Sequence, residues 1–438
     1  MRLLYLLILL LVNAVTFSQT DADYYSARFL KYEDYTYDSN IKTVILERNG
    51  EPLSDPVLTL KSEETLLLQF DLLDNEIEDY SYRIIHCDPD WKSSELSENE
   101  FIDGFNTDQI SDYKHSLNTL EDYWHYQLIF PNAQMKPIIS GNYLMVVFPT
   151  NDPDSIIITR RFLVVESKIQ ISGNAHRATV IEYRNTHQEI DFKINTTGIA
   201  LSNPYGDLKV TILQNFNFST SLTNIQPLFA SNEELDYNLE QGNIMEAGSE
   251  YRILDLRTNK FLTQSIERIE RDSIHGKMTT VLKPDLRLGT QRYSTNEDIN
   301  GKFLIKIYEG RDAHLEGDYI HVKFRLKAIE DDSNLSYFID GKFTDYQPSK
   351  KYRLEYNEVS GFYEKTLYIK QGYYNYRYIT FDSKSQYSVI ETEGSHYETR
   401  NVYDILVYWK ANGTRYFQLI GDQKIQAGAF DSSIQKKH

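Results

Sequence analysis

Residues 80–91 read YSYRIIHCDPDW, and this stretch decides which fold the chain adopts. Along Tyr80–Cys87 the side chains alternate between two faces with the two-residue period of a β-strand. The segment Asp88-Pro89-Asp90 then ends the strand, because proline cannot donate to a ladder and aspartate favours turns. The stretch therefore predicts a β-strand that stops at a sharp turn.

Short apolar runs of the same kind recur along the rest of the chain, with turn residues between them. Regular spacing of short strands and turns is typical of β-sandwiches. We therefore predict an all-β protein of serial immunoglobulin-like β-sandwich domains. The expected domains are an N-terminal sandwich at 25–166, a second sandwich at 167–328 and a third at 329–421, followed by a loose tail at 422–438.

Two long segments interrupt this pattern of strands. Residues 94–116 form a polar insertion with embedded aromatic residues, which we expect to fold over one sheet of the first sandwich. Residues 220–248 predict a long irregular loop, and such loops inside a compact domain are usually functional or disordered.

Residues 1–18 are predicted to be a signal peptide. Arg2 supplies a positive charge, the apolar run 3–12 follows it, and Thr16-Phe17-Ser18 provides small residues before an expected cleavage at Gln19. The apolar run is shorter than the roughly 20 residues that span a membrane. We therefore expect an exported protein that is not inserted into a membrane.

The composition excludes some functions and favours one cellular compartment. A formal net charge of −18 argues against binding to nucleic acid or anionic lipid by bulk electrostatics. One cysteine cannot form an internal disulfide, which favours the envelope of a bacterium over a eukaryotic secretory route. The 34 tyrosines suit half-exposed strands, and they also suit interfaces between proteins.

The residues predict neither a catalytic site nor a metal site. Neighbouring side chains on a strand point to opposite faces, so His86 is poorly placed to activate Cys87, and the two supply only half of a zinc site. The segment Asn296–Gly301 resembles the start of a calcium loop, but Ile307 stands where a bidentate glutamate belongs, which favours a turn. We therefore expect no enzymatic activity, no catalytic or metal-binding residues and no cofactor.

The third domain offers an alternative, sugar-binding function. Tyr374, Tyr376 and Tyr378 lie on one face of a predicted strand and could stack against a glycan. The segments 341–346 and 372–378 resemble motifs of early-set immunoglobulin-like modules, which include glycogen-binding domains. In that family Tyr346 would stand in place of the tryptophan that contacts sugar, whereas the aromatic residues of the strand face the core. We therefore favour the core interpretation of these tyrosines and keep glycan binding as the alternative.

Several strings along the chain resemble the type IX secretion system plug protein family of Bacteroidota. The strings that match its first domain are YSYRIIHCDPDW at 80–91, SLNT at 116–119, SGNYLMVVF at 140–148 and TRRFLVVE at 159–166. The resemblance continues with THQEIDF at 186–192, NPYGDLKVTILQN at 203–215, GDYIHVKF at 317–324 and EGSHYETRNVYDILVYW at 393–409.

This resemblance implies a periplasmic protein that is peripherally associated with the outer membrane. Its expected partner is the outer-membrane β-barrel of the type IX translocon, whose periplasmic opening it would seal when no cargo is present. The strings form the fold, so the resemblance implies no catalytic residues and leaves the partner-binding residues unknown. We expect a monomer, and the alternative is an exported glycan-binding envelope protein built of β-sandwich modules.

Overall fold

The computed structural model describes residues 29–231, 233–239, 241–271, 277–328 and 334–428. Almost all regular structure in these ranges is β-strand, so the predicted all-β fold class is confirmed. The predicted signal peptide at 1–18 lies outside the described residues. Among the described residues, no helix has the length and apolar character needed to cross a membrane.

The N-terminal part of the chain, here called the first sandwich, contains strands β1 to β12. They are β1 (Tyr35–Thr36), β2 (Ile41–Arg48), β3 (Val57–Thr59), β4 (Leu66–Leu72), β5 (Tyr80–Cys87), β6 (Ile102–Gly104), β7 (Asp108–Ile110), β8 (Asp112–His115), β9 (Trp124–Phe130), β10 (Met135–Pro137), β11 (Gly141–Pro149) and β12 (Ile158–Val165). One sheet has the order β1-β12-β11-β5-β7, with β3 also paired to β12, and the facing sheet has the order β2-β4-β9-β8.

Strand β5 lies inside the first sandwich and is covered on both faces. Tyr80, Tyr82 and Ile84 point into the core between the two sheets, whereas Cys87 belongs to an apolar cluster on the opposite face. Antiparallel pairing with β11 joins it to the sheet along its whole length. Because both faces of the strand are covered, large apolar residues occur at even-numbered and at odd-numbered positions of this stretch.

The remaining strands follow in chain order. Strands β13 to β19 are β13 (Gln170–Arg177), β14 (His187–Asn195), β15 (Leu208–Gln214), β16 (Asn217–Thr223), β17 (Phe229–Ala230), β18 (Glu234–Asp236) and β19 (Ile244–Glu246). Strands β20 to β29 are β20 (Arg252–Asp255), β21 (Ile266–Arg271), β22 (Met278–Leu282), β23 (Phe303–Leu304), β24 (Tyr319–Lys327), β25 (Ser336–Asp340), β26 (Glu355–Asn357), β27 (Phe362–Lys370), β28 (Tyr373–Phe381) and β29 (Tyr387–Ser388). The last two are β30 (Val402–Trp409) and β31 (Gln418–Gln426).

Helical structure among the described residues is confined to short turns between strands. The helices are Glu98–Phe101, Pro204–Asp207, Ala313–Glu316 and Ile390–Glu393, and a 3-10 turn covers Lys342–Thr344.

The second sandwich is assembled from two separate parts of the chain. One sheet has the order β13-β14-β18-β17, with β19 also paired to β14, and the other has the order β16-β15-β30-β31. Strand β30 pairs with β15 along its full length, placing Ile405 opposite Ile212 and Val407 opposite Val210. The C-terminal hairpin β30–β31 therefore completes a domain that begins at β13.

The chain between β19 and β30 forms a third unit, here called the inserted sandwich. Its sheets are β20-β28-β23, with β25 and β29 also paired to β28, and β21-β22-β24-β27-β26. A separate hydrophobic core lies between these sheets, and it includes Leu254, Phe324 and Tyr376. The inserted sandwich thus interrupts the second one.

This topology corrects the predicted boundaries of the second and third domains. Strand β24 precedes the expected boundary at 328/329 and β27 follows it, yet the two pair over nine residues in one sheet. Conversely, β30 was expected in the third domain and belongs to the second. The order of the strands along the chain suggested contiguous domains. Pairing between strands that are far apart in sequence decides instead to which domain each strand belongs.

Three further segments differ from the prediction. The expected loose tail at 422–438 begins inside β31, which continues to Gln426, while residues 429–438 lie outside the described part of the chain. The expected loop at 220–248 contains the short strands β17, β18 and β19. The polar insertion at 94–116 contributes edge strands to both sheets of the first sandwich, β7 to one and β8 to the other.

Candidate functional site

The three strand tyrosines of the glycan-binding alternative lie in the core of the inserted sandwich. Tyr374, Tyr376 and Tyr378 on β28 are 2%, 2% and 0% exposed. The Tyr374 hydroxyl group donates to the carbonyl of Lys370 at 2.6 Å. The other two hydroxyl groups each donate to Asp285 at 2.8 Å. These rings therefore stabilise the core and present no face to a sugar.

Tyr346, the fourth residue of that alternative, is not part of β28. It follows the 3-10 turn Lys342–Thr344 and is half-buried, with a left-handed backbone at φ 53°. Burial raises the pKa of its hydroxyl group well above the ordinary value. The four tyrosines share no exposed surface, so the structure does not favour glycan binding at these residues.

Cys87 and His86 are placed as buried structural residues. The Cys87 side chain is 1% exposed, and burial raises the pKa of its thiol to about 12. Burial likewise lowers the pKa of His86 to about 4, and its Nδ1 atom hydrogen-bonds the Ser94 hydroxyl group at 2.8 Å. A thiol with this pKa is a poor nucleophile at neutral pH. A separate reason against a nucleophilic Cys87 comes from the sequence, namely that neighbouring side chains on a strand point to opposite faces.

The segment that resembles a calcium loop uses its central carboxylate to hold a turn. Asp298 accepts backbone N–H groups from Tyr251 at 2.5 Å and from Asn300 at 3.0 Å. Burial raises the pKa of Asp298 to about 6. Since both of its oxygen atoms already accept hydrogen bonds, this geometry supports the interpretation as a turn before β23.

One group of possible metal ligands was not predicted from the sequence. His176, Glu189 and Asp191 on the hairpin β13–β14 each place a ligand atom within 4.8 Å of the others. His176 Nε2 bonds Asp191 at 2.8 Å, and Glu189 accepts both the backbone N–H and the hydroxyl group of Thr179 at 2.7 Å. These protein partners occupy the ligand atoms, so the group is explained as a polar network.

A buried cluster of charged and polar side chains lies where the first sandwich meets the inserted one. Asp71 on β4 and Lys370 on β27 form an ion pair at 2.7 Å, and both side chains are 0% exposed. The same carboxylate accepts the Tyr319 hydroxyl group at 2.7 Å and bonds His125 Nδ1 at 2.6 Å. The Lys370 ammonium also donates to the carbonyl of His314 at 2.6 Å. This buried cluster fastens the two sandwiches together.

The electrostatics of Asp71 follow from these contacts. Burial by itself would raise its pKa, because a charged carboxylate loses its hydration. The neighbouring Lys370 ammonium and the hydrogen bond with His125 outweigh this effect and hold the pKa of Asp71 below its usual value. The carboxylate is therefore ionised at neutral pH and depends on its partners in the other sandwich.

A second junction joins all three sandwiches at one carboxylate. Asp55 of the first sandwich accepts Lys302 of the inserted sandwich at 2.7 Å and Lys424 of the second sandwich at 2.5 Å. Lys302 also donates to the carbonyl of Leu53 at 2.7 Å, and Lys424 pairs with the buried Asp404. Asp55 is thus the point at which the three units meet.

The contact between the first and second sandwiches is mainly apolar. Leu163 and Val165 on β12 belong to one buried cluster with Leu406 and Leu419 of the C-terminal hairpin. Tyr408 belongs to the same cluster, and its hydroxyl group donates to Asn142 at 2.8 Å. Apolar burial, the buried pair Asp71–Lys370 and the partly exposed pairs at Asp55 together join the three sandwiches into one block.

These junctions are not predicted from the sequence, although the sequence carries a signal of buried charge. Asp71 interrupts the apolar strand LLLQFDL, and Lys370 ends the largely apolar strand FYEKTLYIK. A charge inside an apolar run suggests a buried partner, since charged residues are rarely fully buried unless they are paired. The identity of the partner is not readable from the chain, because Asp71 and Lys370 are 299 residues apart.

The comparisons with known proteins agree with this architecture. Residues 41–166 match the model of the type 9 secretion system plug protein 1st domain. These residues fall within the first sandwich. A crystal structure of a hypothetical protein from Parabacteroides merdae is 31% identical, with a TM-score of 0.87, and the match covers 91% of this chain and 100% of that one. No curated protein matches this chain.

Proposed function

The chain belongs to the type IX secretion plug family through its first domain, and from this premise we propose that it is a periplasmic plug of the translocon. In this proposal it docks on the periplasmic opening of the outer-membrane translocon barrel and seals it when no cargo is present. The observation that carries the proposal is the family match over 41–166. The family and the β-sandwich fold suggest a protein that acts by binding and not by catalysis.

The physical construction of the molecule supports a sealing role. A stopper must keep its shape against a wide pore. The sandwiches are joined by the buried ion pair at Asp71 and by the partly exposed ion pairs at Asp55. Domains that share only a small polar contact would be expected to move relative to one another. Here the C-terminal hairpin returns to the second sandwich, so the inserted sandwich is connected at both of its ends.

The contact with the barrel is expected to be of ordinary size and reversible. A plug has to leave when cargo enters, which argues against the large apolar interfaces of permanent complexes. We therefore expect a buried area near 1,600 Å², roughly the standard for specific complexes, with a polar rim. The protein itself is expected to be a monomer when free.

Deletion of the gene tests the sealing role. The deletion strain should become permeable to large solutes while secretion of cargo continues, because the leak runs through empty translocon barrels. Deleting the barrel as well should remove the leak. A strain that lacks the protein and stays tight, although empty barrels are demonstrated in its outer membrane, would contradict the proposal. Retention on envelope polysaccharide would then be measured for the glycan-binding alternative.

Complementation adds a test at the level of residues. An Asp55→Ala variant loses the carboxylate that joins the three sandwiches, and Lys193→Met removes an exposed surface pair and serves as the matched control. If rigidity is needed for sealing, the Asp55 variant should restore the seal less well than wild type at equal abundance. The control should restore it fully.

A further inference from the structure

A cavity of about 320 Å³ opens between the first sandwich and the inserted sandwich. One wall comes from β1 and β2 and from Arg160 on β12, and the other from the 3-10 turn Lys342–Thr344 and from β27. This volume suits a small molecule, and interfaces between domains are frequent places for such pockets.

The lining of this cavity is strongly basic. Its charged residues include one acid, Asp345, and six cations: Lys42, Arg160, Lys342, Lys351, Lys365 and Lys370. The chain as a whole carries a formal net charge of −18, so a basic pocket stands out against an acidic molecule. A local excess of positive charge attracts anionic ligands.

Half of these cations are neutralised by protein carboxylates. Arg160 pairs with Asp345 at 3.2 Å, and Lys342 pairs with Asp34 at 2.6 Å. Lys370 pairs with Asp71, as described above. These three cations are explained by the contact between the sandwiches.

The other three amines have no carboxylate partner among the described residues. Lys365 donates to the carbonyl of Lys350 at 3.3 Å, and the Lys351 ammonium lies 5.2 Å from the centre of the Tyr352 ring. Lys42 is half-buried and makes no ion pair in the described part of the chain. Burial and repulsion from Lys351 lower its pKa to about 8, although Asp38 and Glu121 act in the opposite direction.

An irregular backbone places Lys42 at this cavity. The pairing of β2 with β4 shifts register between Lys42 and Ile45, which marks a β-bulge. Within it Thr43 adopts φ 51°, a left-handed conformation that is unfavourable for a β-branched residue. Bulges redirect side chains and are frequent near functional sites. The Thr43 hydroxyl group contacts Tyr319 at 2.5 Å, at the wall of the cavity.

We propose that this cavity is a binding site for a small organic phosphate, held by the amines of Lys42, Lys351 and Lys365. Several lysines around one space suit a compact group with several charged oxygens, since each lysine ammonium is a compact point charge that binds phosphate. Two half-buried aromatic side chains in the same lining, Phe303 and Phe343, would contact the apolar body of the ligand. The site would bind this ligand whether or not the protein docks on a barrel.

Binding can be measured on the purified protein by calorimetry and thermal unfolding at constant ionic strength. The probes are inorganic pyrophosphate and glycerol 1-phosphate, with glycerol and citrate for comparison. Vesicles of phosphatidylglycerol and of phosphatidylcholine distinguish a lipid headgroup from a free phosphate. We expect both free phosphates to bind and to raise the melting temperature, with no effect of glycerol and weaker binding of citrate. Binding confined to phosphatidylglycerol vesicles would support the same site with a lipid as the source.

The variant Lys42→Met/Lys351→Met tests the residues. It should lose about tenfold in affinity for pyrophosphate per removed amine. Its melting temperature without ligand should equal or exceed that of wild type, because two repelling charges are gone. Lys351→Met alone, at the exposed rim, should show the intermediate loss. The control is Lys384→Met, because Lys384 is an exposed lysine of the inserted sandwich and does not line the cavity.

Three results would overturn the proposal. They are an absence of binding by every phosphate probe, an equal loss of affinity in the Lys384 control, and citrate binding as tight as that of pyrophosphate.

Discussion

The Asp71 carboxylate and the Lys370 ammonium lie 2.7 Å apart across the contact of two sandwiches, and water reaches neither side chain. Two buried charges stabilise a structure only when each keeps its partners, because their lost hydration has to be replaced. Tyr319 and His125 supply the remaining hydrogen bonds of the carboxylate. The relative position of the two sandwiches is therefore fixed by groups that are unfavourable in any other arrangement.

The first prediction concerns this pair. Lys370→Met leaves a buried carboxylate without its counter-ion and should destabilise the protein by about 3–5 kcal/mol. Adding Asp71→Asn should recover part of this loss, because the uncompensated charge is then removed. Urea unfolding of the single and double variants measures both effects. Lys193→Met, in a pair that is half exposed, should change stability by less than about 1 kcal/mol. Equal effects of Lys370→Met and Lys193→Met would show that the buried pair contributes nothing.

The second prediction concerns the junction of three sandwiches. Asp55→Asn weakens two charge-assisted hydrogen bonds. The bond to Lys302 is worth about 1.5–3 kcal/mol, and the bond to Lys424 is worth less because that side chain is 45% exposed. Backbone amides of β2 and β31 next to the junction should exchange hydrogen faster, measured by mass spectrometry. Glu270→Gln, at an exposed surface pair, should leave exchange unchanged. Unchanged protection in the Asp55 variant would show that the apolar contacts alone hold the sandwiches together.

The third prediction is a pH dependence of stability. Burial lowers the pKa of His86 to about 4, whereas the unfolded chain titrates near its ordinary 6.5. Between these values the unfolded chain binds more protons, so this contribution is complete above about pH 6.5 and is lost as the pH falls to about 4. One such group contributes about 3 kcal/mol.

The half-buried His314, whose pKa is also lowered to about 4 by partial burial and by the nearby His125 and Lys370, adds a change of the same sign. His86→Gln should therefore remove the roughly 3 kcal/mol that this group adds to the change of unfolding free energy across this pH window. The exposed His115 gives a control as His115→Gln. A slope that is identical in wild type and the His86 variant would refute this assignment.

The fourth prediction concerns the single cysteine. Because Cys87 is 1% exposed and burial raises the pKa of its thiol to about 12, a thiol reagent should modify the native protein only when the structure opens. In denaturant the reaction should be complete at once. Cys87→Ala should cost about 1 kcal/mol in unfolding free energy and leave the seal intact in cells. Rapid modification of the folded protein would contradict the burial of this residue.

Much of the local structure was predictable from the sequence. The strand Tyr80–Cys87 begins and ends at the predicted residues, because the alternation and the turn Asp88-Pro89 are local signals. The buried state of Tyr374, Tyr376 and Tyr378 also agrees with the favoured core interpretation, since a regular aromatic face on a strand usually packs inward. The short strands β17 to β19 were missed, because isolated pairs of two or three residues carry too little periodicity.

The sequence by itself determined that this chain forms short β-strands, where many of them begin and end, and that its first domain resembles a plug domain. These properties depend on residues that are close together in the chain. Only the tertiary structure decided that β30 and β31 complete the second sandwich and that Asp71 meets Lys370. It also decided that three lysines with no carboxylate partner among the described residues line one cavity. The physical reason is that strand pairing and charge pairing between distant segments depend on how much surface the whole chain buries. Every segment contributes to this burial, so no local sequence pattern is sufficient to predict it.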